Sequence, residues 1–498
     1  MSAGPARIEA DVVIVGAGSA GCALAGRLRT HGAHEVLLIE EGPDPSPWPA
    51  AGHAPLDDAG RLDAAYDPAT SRGDRVDLGS DAAAELRRGA VLGGSSAVNG
   101  TYFVHAREVD VARWESATGG AWDAARVRRL VARLETDLDL GDRAGHGAAG
   151  PVPVSRDRTP STITEAFFEA CAEQGHVALD DLNDRRLQSG FGFVPRNVRD
   201  GRRVSAAAAY LTPSAADEGL TVLADTVVEG LVREGTRVVG LVAIGPDGPI
   251  EVQASQVVLC AGAVGSPTLL RRSGLDLPAA RPGDRGWNHP VVELMYRPRP
   301  GVVDAGVDGF FQGALHTPAV EVMATRLPYG VVTGTSPTDD LLSLRVTLLD
   351  PKGVASLEQD DGDTAVRQDP LAHPEDRAAL RVALRQVCEL AASDVFAGLV
   401  AQWHGPGPAE LADDARLDGW LRRHTVVAFH LAGTCPVGSD PSRGAVVDPS
   451  LRVHGVDGLR IADASVLPAP LSRGPAATAV LVGELAAEEL AGTPSPGS

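Results

Sequence analysis

The sequence predicts an α/β fold in which a Rossmann-like nucleotide-binding domain is joined to a second domain built on an antiparallel sheet with helices. Three observations predict this fold. The chain has 498 residues, which is more than a single hydrophobic core usually accommodates, so two domains are expected. A strand–turn–helix–strand pattern occupies residues 11–40, and residues 290–350 contain short apolar runs separated by turn residues.

The N-terminal pattern is typical of a dinucleotide-binding turn. The apolar run DVVIV at residues 11–15 is followed by GAGSAG and an Ala/Leu-rich helical stretch. Gly16 permits the tight turn, Gly18 lets a pyrophosphate approach the backbone, and Gly21 lets the helix pack close to the strand. Together with Ser19 at the start of the helix, whose free N–H groups attract phosphate, these residues are the predicted nucleotide contacts.

Glu40 completes this unit. It follows a second apolar run, Val36–Ile39, and lies 24 residues after Gly16. A carboxylate at this place accepts hydrogen bonds from a ribose diol and disfavours a ribose that carries a 2′-phosphate. The unit by itself does not decide between NAD and FAD.

The second domain is predicted mainly from residues 290–350. Four segments there are expected to be strands, and their sequences are VVELMYRP, AVEVMATRL, GVVTGT and LLSLRVTLL. Amphipathic helices are predicted over residues 120–139 and 374–394, with Val127, Leu130, Val131 and Leu134 on the buried face of the first.

Composition excludes several classes of function. The net charge of −21 disfavours binding to nucleic acid or to anionic lipid. The five cysteines are scattered without a C-x-x-C pair, so neither a disulfide framework nor a metal site is expected. No segment approaches the ~18 apolar residues of a membrane-spanning helix, and no cleavable leader is visible. The expected location is the cytoplasm, with peripheral membrane attachment as the alternative.

A second glycine-rich segment, VLGGSSAVNG at residues 91–100, suits a flat ring. Gly93, Gly94 and Gly100 allow the backbone to approach closely, and Ser95 and Asn99 offer polar groups. With this segment, the N-terminal unit, GAVGSPTLLRRSG (262–274), HLAGTC (430–435) and residues 446–468, the chain resembles the glucose–methanol–choline (GMC) family of flavin oxidoreductases from residue 11 to about 484.

The resemblance implies a noncovalent FAD. Some members attach the flavin through a histidine just before the asparagine, and Val98 stands there. It also implies that Val228 contacts adenine and that Asp463, Ala464 and Pro475 contact the rest of the cofactor. An NAD(P)H:flavin reductase would need a second G-x-G-x-x-G unit, which residues 257–266 do not provide.

The same resemblance divides the chain. The FAD-binding domain is predicted to comprise residues 1–150, 205–288 and 425–490. The substrate domain comprises residues 151–204 and 289–424, and residues 491–498 are an expected disordered tail.

The resemblance assigns His430 as the acid/base that takes the hydroxyl proton while hydride passes to flavin N5, a role that suits an unperturbed imidazole. The second catalytic residue of the family, His or Asn, falls at Gly474. The adjacent Arg473 is therefore the second catalytic candidate, with a solvated surface arginine as the alternative. His105 is a further candidate, and His289 is expected to be structural.

The predicted function is that of an FAD-dependent dehydrogenase acting on CH–OH donors. The stretches NGTYFVHA, RLETDLDL and SRGPAATAV look most like the mycofactocin-associated branch. That likeness implies oxidation of reduced mycofactocin, with electrons passed to a respiratory acceptor other than NAD. Two alternatives remain: a primary-alcohol or choline-type dehydrogenase or oxidase, and a hydroxynitrile lyase-like protein that keeps FAD for structure.

Overall fold

The fold is described from a computed structural model of the whole chain. The described residues are 5–31, 35–45, 56–79, 83–186, 189–211, 219–275, 277, 281–304, 309–336, 339–360 and 363–491. Apart from Ala491, which ends the last helix, the predicted tail lies outside them.

The strands of the described residues are β1 (Ala6–Val15), β2 (Val36–Ile39), β3 (Ser71–Asp77), β4 (Ala83–Gly89), β5 (Glu135–Asp137), β6 (Val152–Val154), β7 (Gly190–Phe193), β8 (Val198–Arg199), β9 (Arg202–Arg203), β10 (Leu220–Leu223), β11 (Val227–Glu234), β12 (Arg237–Gly245), β13 (Gly248–Leu259), β14 (Pro290–Pro298), β15 (Phe311–His316), β16 (Val320–Thr325), β17 (Leu342–Leu348), β18 (Ser356–Asp360), β19 (Asp363–Arg367), β20 (Val400–Trp403), β21 (Thr425–Val427) and β22 (Leu459–Ile461).

The α-helices are α1 (Ser19–His31), α2 (Glu108–Ala117), α3 (Ala124–Leu134), α4 (Thr162–Glu173), α5 (Ala206–Tyr210), α6 (Gly262–Arg272), α7 (Tyr329–Val332), α8 (Pro374–Ala391), α9 (Asp394–Ala397), α10 (Pro408–Leu411), α11 (Asp414–His424) and α12 (Ala476–Ala491).

The first large sheet carries the nucleotide-binding pattern. Its strand order is β10–β2–β1–β13–β12–β11, and β22 also pairs with β13. The pairs between β10, β2, β1, β13 and β22 are parallel, and β11 to β13 form an antiparallel meander. The buried run predicted at residues 11–15 forms the fully or half-buried end of β1, which leads into α1. Ligands of such sheets bind beyond the carboxyl ends of the strands, where the glycine turn lies.

The second large sheet is antiparallel, as predicted. Its order is β20–β14–β17–β16–β15–β7, and β21 pairs with β14. Helices α4, α8 and α11 bury apolar side chains against it in a core separate from that of the first sheet. These observations confirm the predicted fold class.

One predicted strand is wrong, because GVVTGT begins inside helix α7. Side-chain hydrogen bonds satisfy the helical backbone there. The Thr333 hydroxyl donates to the Tyr329 carbonyl at 2.8 Å, and the Gly330 N–H donates to Asp339 at 3.0 Å. These local bonds compete with a sheet ladder and favour the turn.

The helix predicted over residues 120–139 is shorter than expected. Helix α3 begins after its N-cap Asp123, whose side chain accepts from the Arg126 N–H, and ends at Leu134. The next residues pair in parallel with β6 as strand β5, which ends the helix. Its predicted apolar face is confirmed, since Val127, Leu130, Val131 and Leu134 are all buried.

Two of the small sheets combine strands of both predicted domains, and one of these pairs β5 with β6. The large sheets draw their strands from different predicted domains, with one exception. Strand β21, at the start of the third predicted nucleotide-domain segment, belongs to the second sheet. Strands β3 and β4 form a separate sheet with β18 and β19, which come from the other predicted domain. The domain boundaries themselves remain a prediction.

Candidate active site

The glycine turn after β1 has the geometry that its sequence predicts. Gly16 has a φ of +99°, and a Cβ there would lie 2.6 Å from the Cys260 carbonyl oxygen. A Cβ on Gly21 would lie 2.0 Å from the Gly16 carbonyl oxygen. A Cβ on Gly18 would meet no atom within 4 Å, so the backbone beside the N-terminus of α1 is open to a ligand.

Glu40 lies at the same turn and is buried. Its carboxylate accepts hydrogen bonds from the Ala17 N–H at 2.8 Å and from the Gly42 N–H at 3.1 Å. Burial raises the pKa of Glu40 to about 7, against the effect of these two bonds. Each carboxylate oxygen accepts one of these two bonds and keeps capacity for another, as ribose binding requires.

The second glycine-rich segment packs directly on the first. Gly93 and Gly94 have φ values of +100° and +52°. The Gly93 N–H donates to the Ala17 carbonyl at 2.8 Å, and a Cβ on Gly94 would lie 2.6 Å from Gly18 Cα. The two glycine-rich segments therefore lie against each other. A side chain on Gly94 would prevent this contact.

The polar side chains of this segment differ in what they do. Ser96 is buried, donates to the Gly93 carbonyl and accepts from the Ala206 N–H. Ser95 is exposed and accepts from the Gly89 N–H at 3.1 Å. The carbonyl oxygen of Asn99 accepts from the Thr101 N–H at 3.0 Å. Among the described residues, neither the Asn99 amide nitrogen nor the backbone of Gly100 has a hydrogen-bond partner, so both could contact a ligand.

Asp463 anchors the C-terminal segment to the nucleotide-binding sheet. Its buried carboxylate accepts from the Gly262 N–H, the Ser266 hydroxyl and the Ser465 N–H at 2.8, 2.5 and 2.8 Å. Burial raises its pKa. The carboxylate is thus occupied within the chain, and Ala464 beside it is partly exposed.

Two further predicted cofactor contacts lie at element boundaries. Val228 is partly buried near the start of β11, and Pro475 directly precedes α12. Val228 packs against the hydrophobic core of the first sheet.

His430 and His289 form a pair in which His289 is fully buried and His430 is partly exposed. Their Nδ1 atoms lie 3.0 Å apart, their rings are perpendicular, and His289 Nε2 donates to the Leu471 carbonyl at 2.8 Å. A carbonyl only accepts, so His289 carries its proton on Nε2 and accepts at Nδ1. His430 must then carry its proton on Nδ1, which leaves its Nε2 with a lone pair.

Both imidazoles are held neutral. Burial lowers the pKa of His289, and burial together with the nearby His289 and Arg345 lowers the pKa of His430 well below 6.5. The described residues supply no hydrogen-bond partner for His430 Nε2, so this nitrogen is free to accept a proton. His289, which the sequence indicated as structural, orients the His430 ring and fixes its tautomer.

Arg473 is not a surface residue, so the alternative reading of a solvated arginine is wrong. Its side chain is almost fully buried, and its Nη1 donates to the Ser472 carbonyl at 2.6 Å. Its positive charge lowers the pKa of Glu321, after the larger effects of burial and of hydrogen bonds from His316 and Tyr102.

Tyr102, His316 and Glu321 form a group that sequence reasoning missed. The Tyr102 hydroxyl bonds the Glu321 carboxylate in a very short contact, and His316 Nε2 lies 3.0 Å from the same oxygen. His316 and Glu321 are paired across strands β15 and β16. Their closeness depends on the register of that pairing, which the sequence did not indicate.

His105, the further candidate of the sequence analysis, belongs to a different cluster. Its Nε2 lies 2.7 Å from the buried Glu135 carboxylate. His146 Nδ1 lies 2.9 Å from Asp137 and 3.4 Å from Glu135, and its Nε2 lies 3.0 Å from Asp181. The predicted catalytic interpretation of His105 therefore has no support in its contacts, which join α3, β5 and their neighbouring loops.

This geometry defines the chain as an α/β protein in which two glycine-rich segments pack together beside a parallel sheet and two histidines are joined through their Nδ1 atoms. The family comparison makes the assignment specific. Models of the GMC oxidoreductase family match residues 10–291 and 352–483. The chain belongs to the GMC oxidoreductase family.

Individual relatives agree over nearly the whole chain. An uncharacterised GMC-type oxidoreductase from the thcA 5′ region of Rhodococcus erythropolis is 32% identical, covering 97% of this chain and 98% of the relative. An oxygen-dependent choline dehydrogenase of Rhizobium rhizogenes is 30% identical, with coverage of 98% and 96%.

Solved structures show the same architecture. Pyridoxine 4-oxidase from Mesorbium loti superposes with a TM-score of 0.84 at 28% identity, covering 96% of this chain and 98% of that one. Formate oxidase of Aspergillus oryzae, which contains FAD, has a TM-score of 0.84 at 20% identity, with coverage of 97% and 98%. Among the described residues, no helix is long and apolar enough to cross a bilayer.

Proposed function

We propose that this protein is an FAD-dependent oxidoreductase that oxidises CH–OH donors, with His430 as the acid/base. The observation that carries the proposal is the hydrogen-bond chain from the Leu471 carbonyl through His289 to His430. It leaves one unprotonated nitrogen at a partly exposed position. A general base needs this protonation state before its substrate binds.

The residues of the two glycine-rich segments fit FAD. The open face of Gly18 would admit the pyrophosphate, Glu40 would bind the ribose diol, and Gly93 to Gly100 would lie along the flavin ring. We propose Val228, Ala464 and Pro475 as further contacts, with Asp463 acting through the backbone that it fixes. Val98 is buried and has no nucleophilic atom, which supports noncovalent binding.

In the proposed reaction the donor hydroxyl gives its proton to His430 Nε2. Bound FAD would supply the two-electron acceptor for the hydride of the carbon that carries this hydroxyl. The donor becomes a carbonyl compound, so one proton and one hydride leave it. Arg473 would stabilise negative charge on the donor oxygen, because its buried Nε has no hydrogen-bond partner among the described residues.

For the physiological donor we propose reduced mycofactocin, with electrons passed to a respiratory acceptor other than NAD in the cytoplasm or at the membrane surface. The likeness of residues 99–106, 133–140 and 472–480 to the mycofactocin-associated branch supports this assignment, as does the glycine at 474. A choline-type dehydrogenase or oxidase is the second candidate, which the choline dehydrogenase relatives favour.

The visible spectrum of the purified protein tests the proposal. We expect oxidised flavin bands that bleach when reduced mycofactocin is added without oxygen, and less readily with choline. Bleaching by choline alone would select the second candidate. Flavin bands that no CH–OH donor bleaches would overturn the oxidoreductase assignment and favour a hydroxynitrile lyase-like protein, and a protein purified gently without flavin would contradict FAD itself.

A further inference from the structure

Two partly exposed rings face each other across Gly474. A Cβ on this glycine would lie 3.2 and 3.3 Å from Tyr102 Cε1 and Cδ1, and 3.5 Å from His430 Cε1. The tyrosine ring therefore occupies the space into which a side chain at position 474 would project. Because Tyr102 and His430 each have a ring atom within 3.5 Å of this position, the two rings border the same space.

The Tyr102 hydroxyl is held by two buried groups. It bonds the Glu321 carboxylate, and His316 Nε2 lies 3.3 Å from its oxygen. Hydrogen bonds from His316 and Tyr102 offset the effect of burial on Glu321 and hold its pKa at about 2, so the carboxylate is ionised. An ionised carboxylate only accepts, so the Tyr102 O–H donates to it.

This arrangement determines what Tyr102 can offer to a ligand. A phenol that donates to a carboxylate keeps lone pairs on its own oxygen, and the charged partner makes that oxygen a stronger acceptor. Glu321 Oε1 also has no hydrogen-bond partner among the described residues. The site therefore favours a ligand with a hydrogen-bond donor.

The charges around the group favour a neutral ligand. The Arg473 guanidinium acts on Tyr102, His316 and Glu321, and in each case its field opposes additional positive charge. Glu321 and Arg473 together carry no net charge. A hydroxyl or N–H group suits such a site better than a quaternary ammonium.

We propose that Tyr102 contacts the substrate beside His430 and accepts a hydrogen bond from a second donor group of the substrate, a hydroxyl or N–H on the carbon next to the one that is oxidised. Glu321 and His316 are positioning residues that fix the direction of the Tyr102 hydroxyl. This inference rests on the proposed function for the placement of the substrate at His430.

A matched pair of probes tests the inference on the FAD-loaded protein. 2-Phenylethanol and 1-phenylethane-1,2-diol differ by one hydroxyl, on the carbon next to the primary alcohol. Their dissociation constants are measured without oxygen from the perturbation of the flavin bands, and the rate of flavin reduction is measured in the same samples. We expect the wild-type protein to bind the diol about 10-fold more tightly, the effect of one good hydrogen bond.

The variant Tyr102→Phe keeps the ring and removes the hydroxyl. We expect its two dissociation constants to differ by less than 2-fold, with the constant for 2-phenylethanol unchanged. Tyr296→Phe is the matched control, since the buried Tyr296 hydroxyl has no hydrogen-bond partner in the described part of the chain, and it should keep the 10-fold preference. A wild-type protein without the preference, or a Tyr102→Phe protein that retains it, would overturn the inference.

Two other variants test the inference if Tyr102→Phe fails to fold. Gly474→Ala adds a methyl group against the Tyr102 ring, and Glu321→Gln removes the charge with little change of shape. Both should reduce the preference for the diol several-fold, whereas loss of thermal stability with the preference intact would mean that the group is only structural. Preferential binding of the diol without flavin reduction by either probe would support the inference and count against the proposed function. Flavin reduction without the preference would support the proposed function and overturn the inference.

Discussion

The His430–His289 pair and the cluster around His146 are both mostly buried groups of ionisable side chains, yet they hold their imidazoles in opposite protonation states. His430 faces another neutral imidazole, and burial, together with the nearby His289 and Arg345, lowers its pKa. His146 faces Asp137, Asp181 and Glu135. Burial alone would lower its pKa, but hydrogen bonds to these carboxylates raise it to about 11.

The comparison shows that the groups around a buried histidine determine its protonation state and therefore its role. An imidazole that is already protonated cannot accept a substrate proton, so the His146 cluster serves as an ion-pair network. It is closed by Arg156, whose Nη1 and Nη2 lie 2.9 Å from Asp137 and Asp181. The neutral His430 remains available for proton transfer.

The largest expected effect comes from removing the neutral histidine. His430→Ala should slow anaerobic flavin reduction by ~10²–10⁴-fold, the usual contribution of a general base. Stopped-flow absorbance measures it, with the flavin content as a check on folding. His404→Ala, at an exposed histidine, is the control and should be unchanged. A His430→Ala protein within 3-fold of wild type would remove this residue from the mechanism.

Removing the charged histidine should act on stability instead. His146→Leu leaves three buried carboxylates short of a partner, and breaking such a network costs ~3–5 kcal/mol of unfolding free energy. Urea unfolding measures this loss, and the flavin-reduction rate of the folded variant should stay close to wild type. A His146→Leu protein with wild-type stability but slow flavin reduction would show that His146 acts in the reaction and not in stability.

The stability difference between wild type and His146→Leu should depend on pH. The pKa of His146 is raised from 6.5 to about 11 in the folded protein. Its contribution is therefore complete below about pH 6.5 and disappears as the pH rises towards 11. Urea midpoints of both proteins between pH 6 and 10 should converge with increasing pH, and a constant difference would show that His146 is not held as an imidazolium.

The smallest effect is expected at the positioning residue. His289→Gln keeps an acceptor for His430 Nδ1–H, whereas His289→Leu removes it. We expect flavin reduction to slow less than 10-fold in the first and ~10–100-fold in the second, with a shifted pH profile, as for other groups that orient a functional imidazole. Equal rates in both variants would mean that the hydrogen bond does not orient His430.

The glycine fingerprint could be predicted from sequence because its physics is local. Gly16, Gly18 and Gly21 act through the backbone of one turn, and the strand and helix that flank them have their own hydrophobic patterns. The apolar runs of residues 290–350 were enough to predict that this region forms an antiparallel sheet. Its one false strand, at α7, was overridden by hydrogen bonds from Thr333 and Asp339 that apolar patterning does not report.

Most of the contacts around His430 could not be predicted, because they join residues that are far apart in the sequence. Tyr102 meets Glu321 across 219 positions of the chain, and His289 meets His430 across 141. The burial of Arg473 likewise follows from packing and not from its neighbours in sequence. The signal that could have pointed to Tyr102 was the glycine at 474, since a missing side chain leaves space that another residue must fill.

The central claim is that His430 enters the reaction neutral, with a bare Nε2. The pH dependence of anaerobic flavin reduction by a CH–OH donor that bleaches the flavin tests it most directly. We predict a rate that rises with pH to a plateau, with an apparent pKa below 6.5, and a His430→Ala protein that has lost this titration. An apparent pKa above 7, or the same titration in His430→Ala, would contradict the claim.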